Sequence, residues 1–223
     1  MPVQTLASLI GYEFRNPDLL RQALTHRSHS AVHNERLEFL GDSVLNCIVA
    51  TLLYERFPQL PEGELSRLRA SLVNQKNLFE TGRRIELGAH LLLGDGEIKT
   101  GGARRPSIVA DALEALIGAI YLDAGFDATR GAVQHLLGPA IDVADPRTAG
   151  KDAKTLLQEL LQARRMPVPQ YSVIATTGEA HQQCFRVECA IPELNIRTEG
   201  EGTSRRSAEQ AAARRAYDLG SRM

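Results

Sequence analysis

Cysteine is scarce in this 223-residue chain, with Cys47, Cys184 and Cys189 the only three. The number is odd and the spacing fits no metal-ligand pattern. A disulfide framework and a thiolate metal site are therefore excluded, and the three read as inert thiols of a reducing cytoplasm. Long apolar runs are missing as well. No stretch approaches the roughly 18 consecutive apolar residues of a membrane span. The opening MPVQTLASLIGYEF has neither a basic flank nor a small-residue cleavage site, so neither a signal peptide nor membrane association is expected. Internal repeats and low-complexity segments are absent. Net charge is nearly absent too, at −1, but it conceals two unequal parts. Residues 1–150 hold 15 Lys+Arg against 18 Asp+Glu, a balance of −3, and residues 151–223 hold 11 against 9, a balance of +2. A mildly acidic part followed by a mildly basic one hints at a division of labour.

What is present is the composition of an ordinary globular protein, 43% hydrophobic and 24% charged, long enough for one large domain or two smaller ones. Asn16-Pro17-Asp18 is a helix start, with Asn as N-cap and Pro at the first helical position, opening a periodic stretch to about Ser28. Helical spacing of apolar residues predicts further helices over 34–57, 62–85, 107–123 and 127–137. The glycine-rich passage 94–102 reads as a loop. Residues 1–142 are thus expected to be all-helical, and 143–150, with Pro146 and Gly150, to be a linker. Beyond it the period changes. A helix over 154–163 precedes strands over 170–176, 183–189 and 194–199, and an alanine-rich helix covers 204–219. The expected class is mainly α with an α+β domain, the second domain being a small α-β-β-β-α unit over 151–223.

Two helix faces carry the sharpest chemistry. In NERLEFLGDS, residues 34–43, Glu35, Glu38 and Asp42 stand at i, i+3 and i+7, on one helix face opposite the apolar residues. In Asp111-Ala-Leu-Glu114 two more stand at i and i+3, the only charged residues between Ile108 and Leu122. Carboxylates on so apolar a helix are costly to bury unpaired. Oxygen-only ligands favour hard cations such as Mg²⁺ or Mn²⁺ over zinc. Spaced acids are also common on solvated helix faces, and periodicity reaches no further than a candidate divalent-metal cluster.

NERLEFLGDS as a block closely resembles the signature of the ribonuclease III family. Ala23-Leu-Thr-His-Arg-Ser28, Gly63-Glu-Leu-Ser-Arg-Leu-Arg69 and Ser107-Ile-Val-Ala-Asp-Ala-Leu-Glu-Ala-Leu-Ile-Gly118 resemble its neighbouring segments, and the C-terminal unit resembles a double-stranded-RNA-binding domain. The resemblance spans essentially the whole chain and is to the bacterial type. It implies a homodimeric, Mg²⁺-dependent endoribonuclease, with Mn²⁺ able to substitute and no small-molecule cofactor. Such an enzyme hydrolyses phosphodiesters in double-stranded RNA, leaving 5′-phosphate and 3′-hydroxyl ends with a short 3′ overhang. Ribosomal RNA precursors and structured messages are the implied substrates, and the cytoplasm the implied location.

Carried over residue by residue, the resemblance makes Glu38, Asp42, Asp111 and Glu114 the catalytic set, with Glu38, Asp111 and Glu114 the primary metal ligands and Asp42 either a direct ligand or the group that orients the metal-bound water. Glu35 is either catalytic or held in a structural pair with an arginine, and Glu62 and Glu64 lie near the acidic groove without ligating. Phe39 matches an aromatic that inserts into the partner subunit. Duplex contacts fall on Thr155, Gln158 and Gln162, on His181 in the loop 178–181, and on Ser204, Arg205 and Arg206. Together they would span roughly 16 base pairs and read A-form shape. One departure is Glu209, where the wider domain pattern has a lysine. Two other functions compete: a non-catalytic protein that sequesters duplexes, and a helical hydrolase of small phosphate esters that would leave the second domain idle.

Overall fold

A computed structural model describes residues 6–146, 148–178 and 183–222. It divides into two compact units, 1–149 and 150–223. The first is helical, running α1 (Leu6–Ile10), α2 (Pro17–Ala23), α3 (Glu35–Arg56), α4 (Glu62–Leu72), α5 (Gln75–Arg84), α6 (Asp95–Lys99) and α7 (Pro106–Asp142). Its centre is the crossing of α3 and α7. Leu45, Ile48 and Val49 from α3 and Leu113, Leu116 and Ile117 from α7 are almost completely withdrawn from solvent. By length and composition alone α3 could cross a membrane; its apolar side lies in this core, and its other side bears Glu35, Glu38 and Asp42.

Local chemistry sets the element ends. The Asn16 side chain accepts from the Asp18 amide at 3.0 Å, capping α2 as the sequence predicts. That helix stops at Ala23 rather than near Ser28. Thr25 instead forms a lone parallel bridge with Leu92, and the His26 amide donates to the Leu92 carbonyl. A tertiary pairing has overridden the local helical period. The predicted helix over 62–85 is two helices, because Asn74 accepts from the Asn77 amide and starts α5 afresh. The expected loop at 94–102 contains α6, followed by a 3₁₀ turn over Gly102–Arg104. Within α7 the backbone leaves helical geometry at Gly125 (φ 79°, ψ −171°), so two helical segments abut there, and the second runs to Asp142. Ala144 and Ala149 pack against this unit's core, so the expected linker lies partly on the helical unit.

The second unit is α8 (Ala153–Ala163), β1 (Gln170–Thr177), β2 (Cys184–Ile191), β3 (Ile196–Gly202) and α9 (Arg205–Gly220). The sheet is antiparallel in the order β1-β2-β3. A bulge between Val173 and Ala175 accounts for the broken alternation in the first strand's sequence. Leu157 and Leu161 of α8 meet Cys189, Ile191 and the alanines Ala212, Ala213 and Ala216 of α9. The alanines let α9 lie close on β3: a methyl on Gly200 would sit 2.2 Å from the Ala212 nitrogen.

Candidate metal centre and duplex-binding face

The helical unit brings three of the four sequence-predicted acids together. A carboxylate oxygen from each of Glu38, Asp111 and Glu114 lies within 4.8 Å of the others. Two glycines make this approach possible. A methyl on Gly41 would lie 1.8 Å from the Glu114 carbonyl oxygen, and one on Gly118 would lie 2.2 Å from the Leu37 carbonyl oxygen. Backbone therefore touches backbone where α3 crosses α7, and the acids on either side of the crossing converge. Gly41 is flagged by the sequence signature. Gly118 was available to sequence reasoning only as a glycine inside an apolar helix, where it costs about 1 kcal/mol relative to alanine and so signals close approach.

The electrostatics are those of a crowded acidic cluster. All three acids are half-buried. The Glu114 carboxyl is pushed up to about 8, by burial first and then by the charges of Asp42, Asp111 and Glu38. Glu38 is raised by burial, Asp111 and Glu35, against a smaller opposing pull from Arg27. Asp111 is raised by burial, with His26 acting in the other direction. Asp42 stands at the rim of the trio, exposed, and its Oδ1 accepts from the Asn46 side-chain amide at 2.9 Å. Mutual repulsion among half-buried carboxylates is relieved by protonation or by a cation. An all-oxygen donor set of this kind fits Mg²⁺ or Mn²⁺.

The remaining acids sit elsewhere. Glu35 pairs with Arg27 at 3.2 Å and approaches His33 at 3.9 Å, the arginine pairing foreseen as one of its two roles. Glu62 accepts from the Ser66 hydroxyl on α4. Beside the trio lies a cleft of about 390 Å³ whose walls include His26, Arg27, Glu97 and Arg105. Arg105 is held by Glu97 at 2.7 Å and by the Thr100 hydroxyl at 3.0 Å. Sequence reasoning missed both: Glu97 lies in the segment 94–102 read as a loop, and Arg105 lies between that segment and the helix expected from 107. Phe39 is 79% exposed, which rules out simple core packing in the single chain.

On the second unit, Thr155, Gln158 and Gln162 are all exposed on one face of α8. Ser204 caps α9 in a reciprocal box with Ser207, its side chain accepting from the Ser207 amide while the Ser207 hydroxyl accepts from the Ser204 amide. Arg205 and Arg206 follow in the first turn, both exposed. His181 lies outside the described residues.

Comparison with known proteins places these features in a family. Residues 16–141 match the family model described as Ribonuclease-III-like, and residues 153–219 match the double-stranded RNA binding motif. The chain is 60% identical over 218 residues to "Ribonuclease 3" of Cupriavidus taiwanensis, covering 98% of this chain and 85% of that one. It is 57% identical over 223 residues to "Ribonuclease 3" of Ralstonia pickettii, covering 100% and 87%. Among solved structures, the nuclease domain of ribonuclease III from Campylobacter jejuni is similar at 42% identity with a TM-score of 0.60, over 63% of this chain and 96% of that one. A second structure of that domain, with the same identity and TM-score over 62% and 97%, is described for structural flexibility in a region involved in dimer formation. The chain belongs to the ribonuclease III family of endoribonucleases.

Proposed function

We propose that this chain is a divalent-metal-dependent, homodimeric enzyme that hydrolyses phosphodiester bonds in double-stranded RNA, using Glu38, Asp111 and Glu114 as metal ligands. The observation that carries the reading is the convergence of these three half-buried carboxylates within 4.8 Å at a glycine-lined helix crossing. When bound, a pair of such ions lowers the pKa of water and stabilises the leaving oxygen. In the reaction a water oxygen bonds to phosphorus and the bond from phosphorus to the 3′-oxygen breaks. The departing 3′-oxygen takes up a proton, giving 5′-phosphate and 3′-hydroxyl ends. Asp42, held by Asn46, orients the attacking water. Mg²⁺ is the proposed ion, with Mn²⁺ able to replace it.

Cutting both strands with a short 3′ overhang requires two such centres, hence two subunits. Exposed Phe39 supports this, together with exposed Tyr54 on the same helix. Exposed Thr155, Gln158 and Gln162 suit the minor-groove 2′-hydroxyls of A-form RNA, and Arg205 and Arg206 at a helix N-terminus suit its phosphates. His181 is retained as a minor-groove contact from the β1–β2 loop, and Ser204 as one through its place at the head of α9. Ribosomal RNA precursors and structured messenger RNAs are the proposed substrates. The unpaired state of all three cysteines is in keeping with a cytoplasmic location. The presence of all four expected acids argues against the sequestering alternative. Cleavage of an RNA duplex by the parent but not by Glu114→Gln, with duplex binding retained in both, tests the reading.

A further inference from the structure

Glu209, the residue at which this chain departs from the wider binding-domain pattern, lies between the N-terminal ends of α8 and α9. Its side chain is only 12% exposed and serves two cations at once. Oε2 accepts from Lys154 Nζ at 2.7 Å, and Oε1 accepts from Arg205 Nε at 2.9 Å. Lys154 is fixed further by the Tyr171 ring, 4.4 Å from Nζ to the centroid, and its backbone nitrogen donates to Gln210 Oε1. These bonds hold the Glu209 carboxyl below the usual carboxylate range, that from Lys154 most of all.

The choice of nitrogen matters. A guanidinium has five N–H groups, four of them on its two terminal nitrogens. Glu209 engages Nε, so the end-on edge formed by the two terminal nitrogens, one of those that fork onto a phosphate, stays open on a side chain that is 65% exposed. Lys154, Arg205 and Arg206 outnumber Glu209 and neighbouring Asp152, so the patch stays positive despite its acids. We propose that Glu209 is a positioning residue for duplex binding, holding Arg205 by Nε so that its terminal nitrogens face an RNA phosphate. The inference rests on the reading that Arg205 contacts the duplex.

The test measures binding of the full chain to an RNA duplex of about 30 base pairs, longer than the roughly 16 one binding domain spans. EDTA is present so that nothing is cleaved. The proteins are the parent, Arg205→Ala, Glu209→Ala, Glu209→Gln and the Arg205→Ala/Glu209→Ala double variant, each checked for an unchanged thermal melt of the second unit. Removing a negative charge from a phosphate-binding face would by itself tighten binding, so weakening is the signature of positioning. Glu209→Ala is expected to bind about fivefold more weakly, within the range of couplings inside one network. Glu209→Gln, which keeps an acceptor for Nε, should fall between it and the parent, and Glu209→Ala should add nothing once Arg205 is gone. Tighter binding by Glu209→Ala would make Glu209 a competitor of the phosphate and overturn the proposal, as would an equal loss in the absence of Arg205. If Arg205→Ala binds like the parent, the duplex-contact reading of Arg205 fails and the inference fails with it.

Discussion

Gly41 and Glu114 face each other so closely that a single methyl on Gly41 would lie 1.8 Å from the Glu114 carbonyl oxygen. The contact locks the backbone of α3 to that of α7 at the level of the carboxylate trio, so the convergence of the three acids depends on a residue with no side chain. Gly41→Ala is expected to cost at least the roughly 1–3 kcal/mol of overpacking, since backbone rather than a flexible side chain must yield, and to lose cleavage with it. Gly131→Ala, on the same α7 with nothing within 4 Å of its added methyl, should be neutral or gain up to about 1 kcal/mol. Thermal melts of the two variants check this. Equal melts would mean that the crossing tolerates separation.

The trio sets a pH dependence of stability. The Glu114 carboxyl is pushed up to about 8 in the fold, from an ordinary carboxyl value of 4.5. The folded state therefore keeps a proton that the unfolded chain gives up between those values. Stability of the metal-free protein should be fully present below about pH 4.5, as far as this group is concerned, and fall as pH rises through 8. Glu114→Gln should flatten that decline and melt higher than the parent at pH 8.5 in EDTA, at roughly 2–4 °C per kcal/mol gained for a chain of this size. Added Mg²⁺ should raise the parent's melting temperature at that pH and leave the variant's unchanged. Calorimetry at pH 6 and 8.5 reads both. Parallel pH profiles for parent and variant would remove Glu114 as the strained acid.

Phe39, exposed on the single chain, is the proposed anchor of the dimer. Phe39→Ala should shift the association equilibrium toward monomer by a large factor, because truncating a buried aromatic anchor typically costs 2 kcal/mol or more, about 30-fold. Sedimentation across a concentration series measures it. A dimer as tight as the parent's would place the interface elsewhere.

Arg206 makes no ion pair among the described residues and opens α9 beside Arg205. Arg206→Ala should weaken duplex binding uniformly across sequences and make the dependence of log K on log salt shallower by about 1. Titrations at several salt concentrations decide it, and an unchanged slope would take Arg206 out of the phosphate contacts.

Much of this was legible in the sequence. The signature block placed Glu38 and Asp42 on one helix with Gly41 between them, and the apolar helix bearing Asp111 and Glu114 stood out by its charge pattern. The change of period after residue 150 announced the second unit. The local signals failed where tertiary contacts set the geometry. Thr25 leaves its helix to pair with Leu92, and no periodicity reports a partner 67 positions away. Asn74 restarts a helix inside a continuous apolar period, a cap hidden by its surroundings. Glu97 reaches the cleft from a glycine-rich stretch whose composition reads as loop, and Arg105 from the short junction between that stretch and the next predicted helix. Glu209 showed in the sequence only as a missing lysine; its two cations come from separate helices and meet only in the fold.

The most direct measurement is cleavage of an end-labelled RNA duplex of about 30 base pairs, long enough for the roughly 16 spanned by one binding domain, beside a single-stranded control. Parent and Glu114→Gln proteins are each incubated with Mg²⁺, Ca²⁺ or EDTA. Cutting of the duplex alone, by the parent alone and with Mg²⁺ alone, while both proteins bind the duplex, is the expected result. Normal cleavage by Glu114→Gln, or by the parent in EDTA, would contradict a metal centre built on Glu38, Asp111 and Glu114.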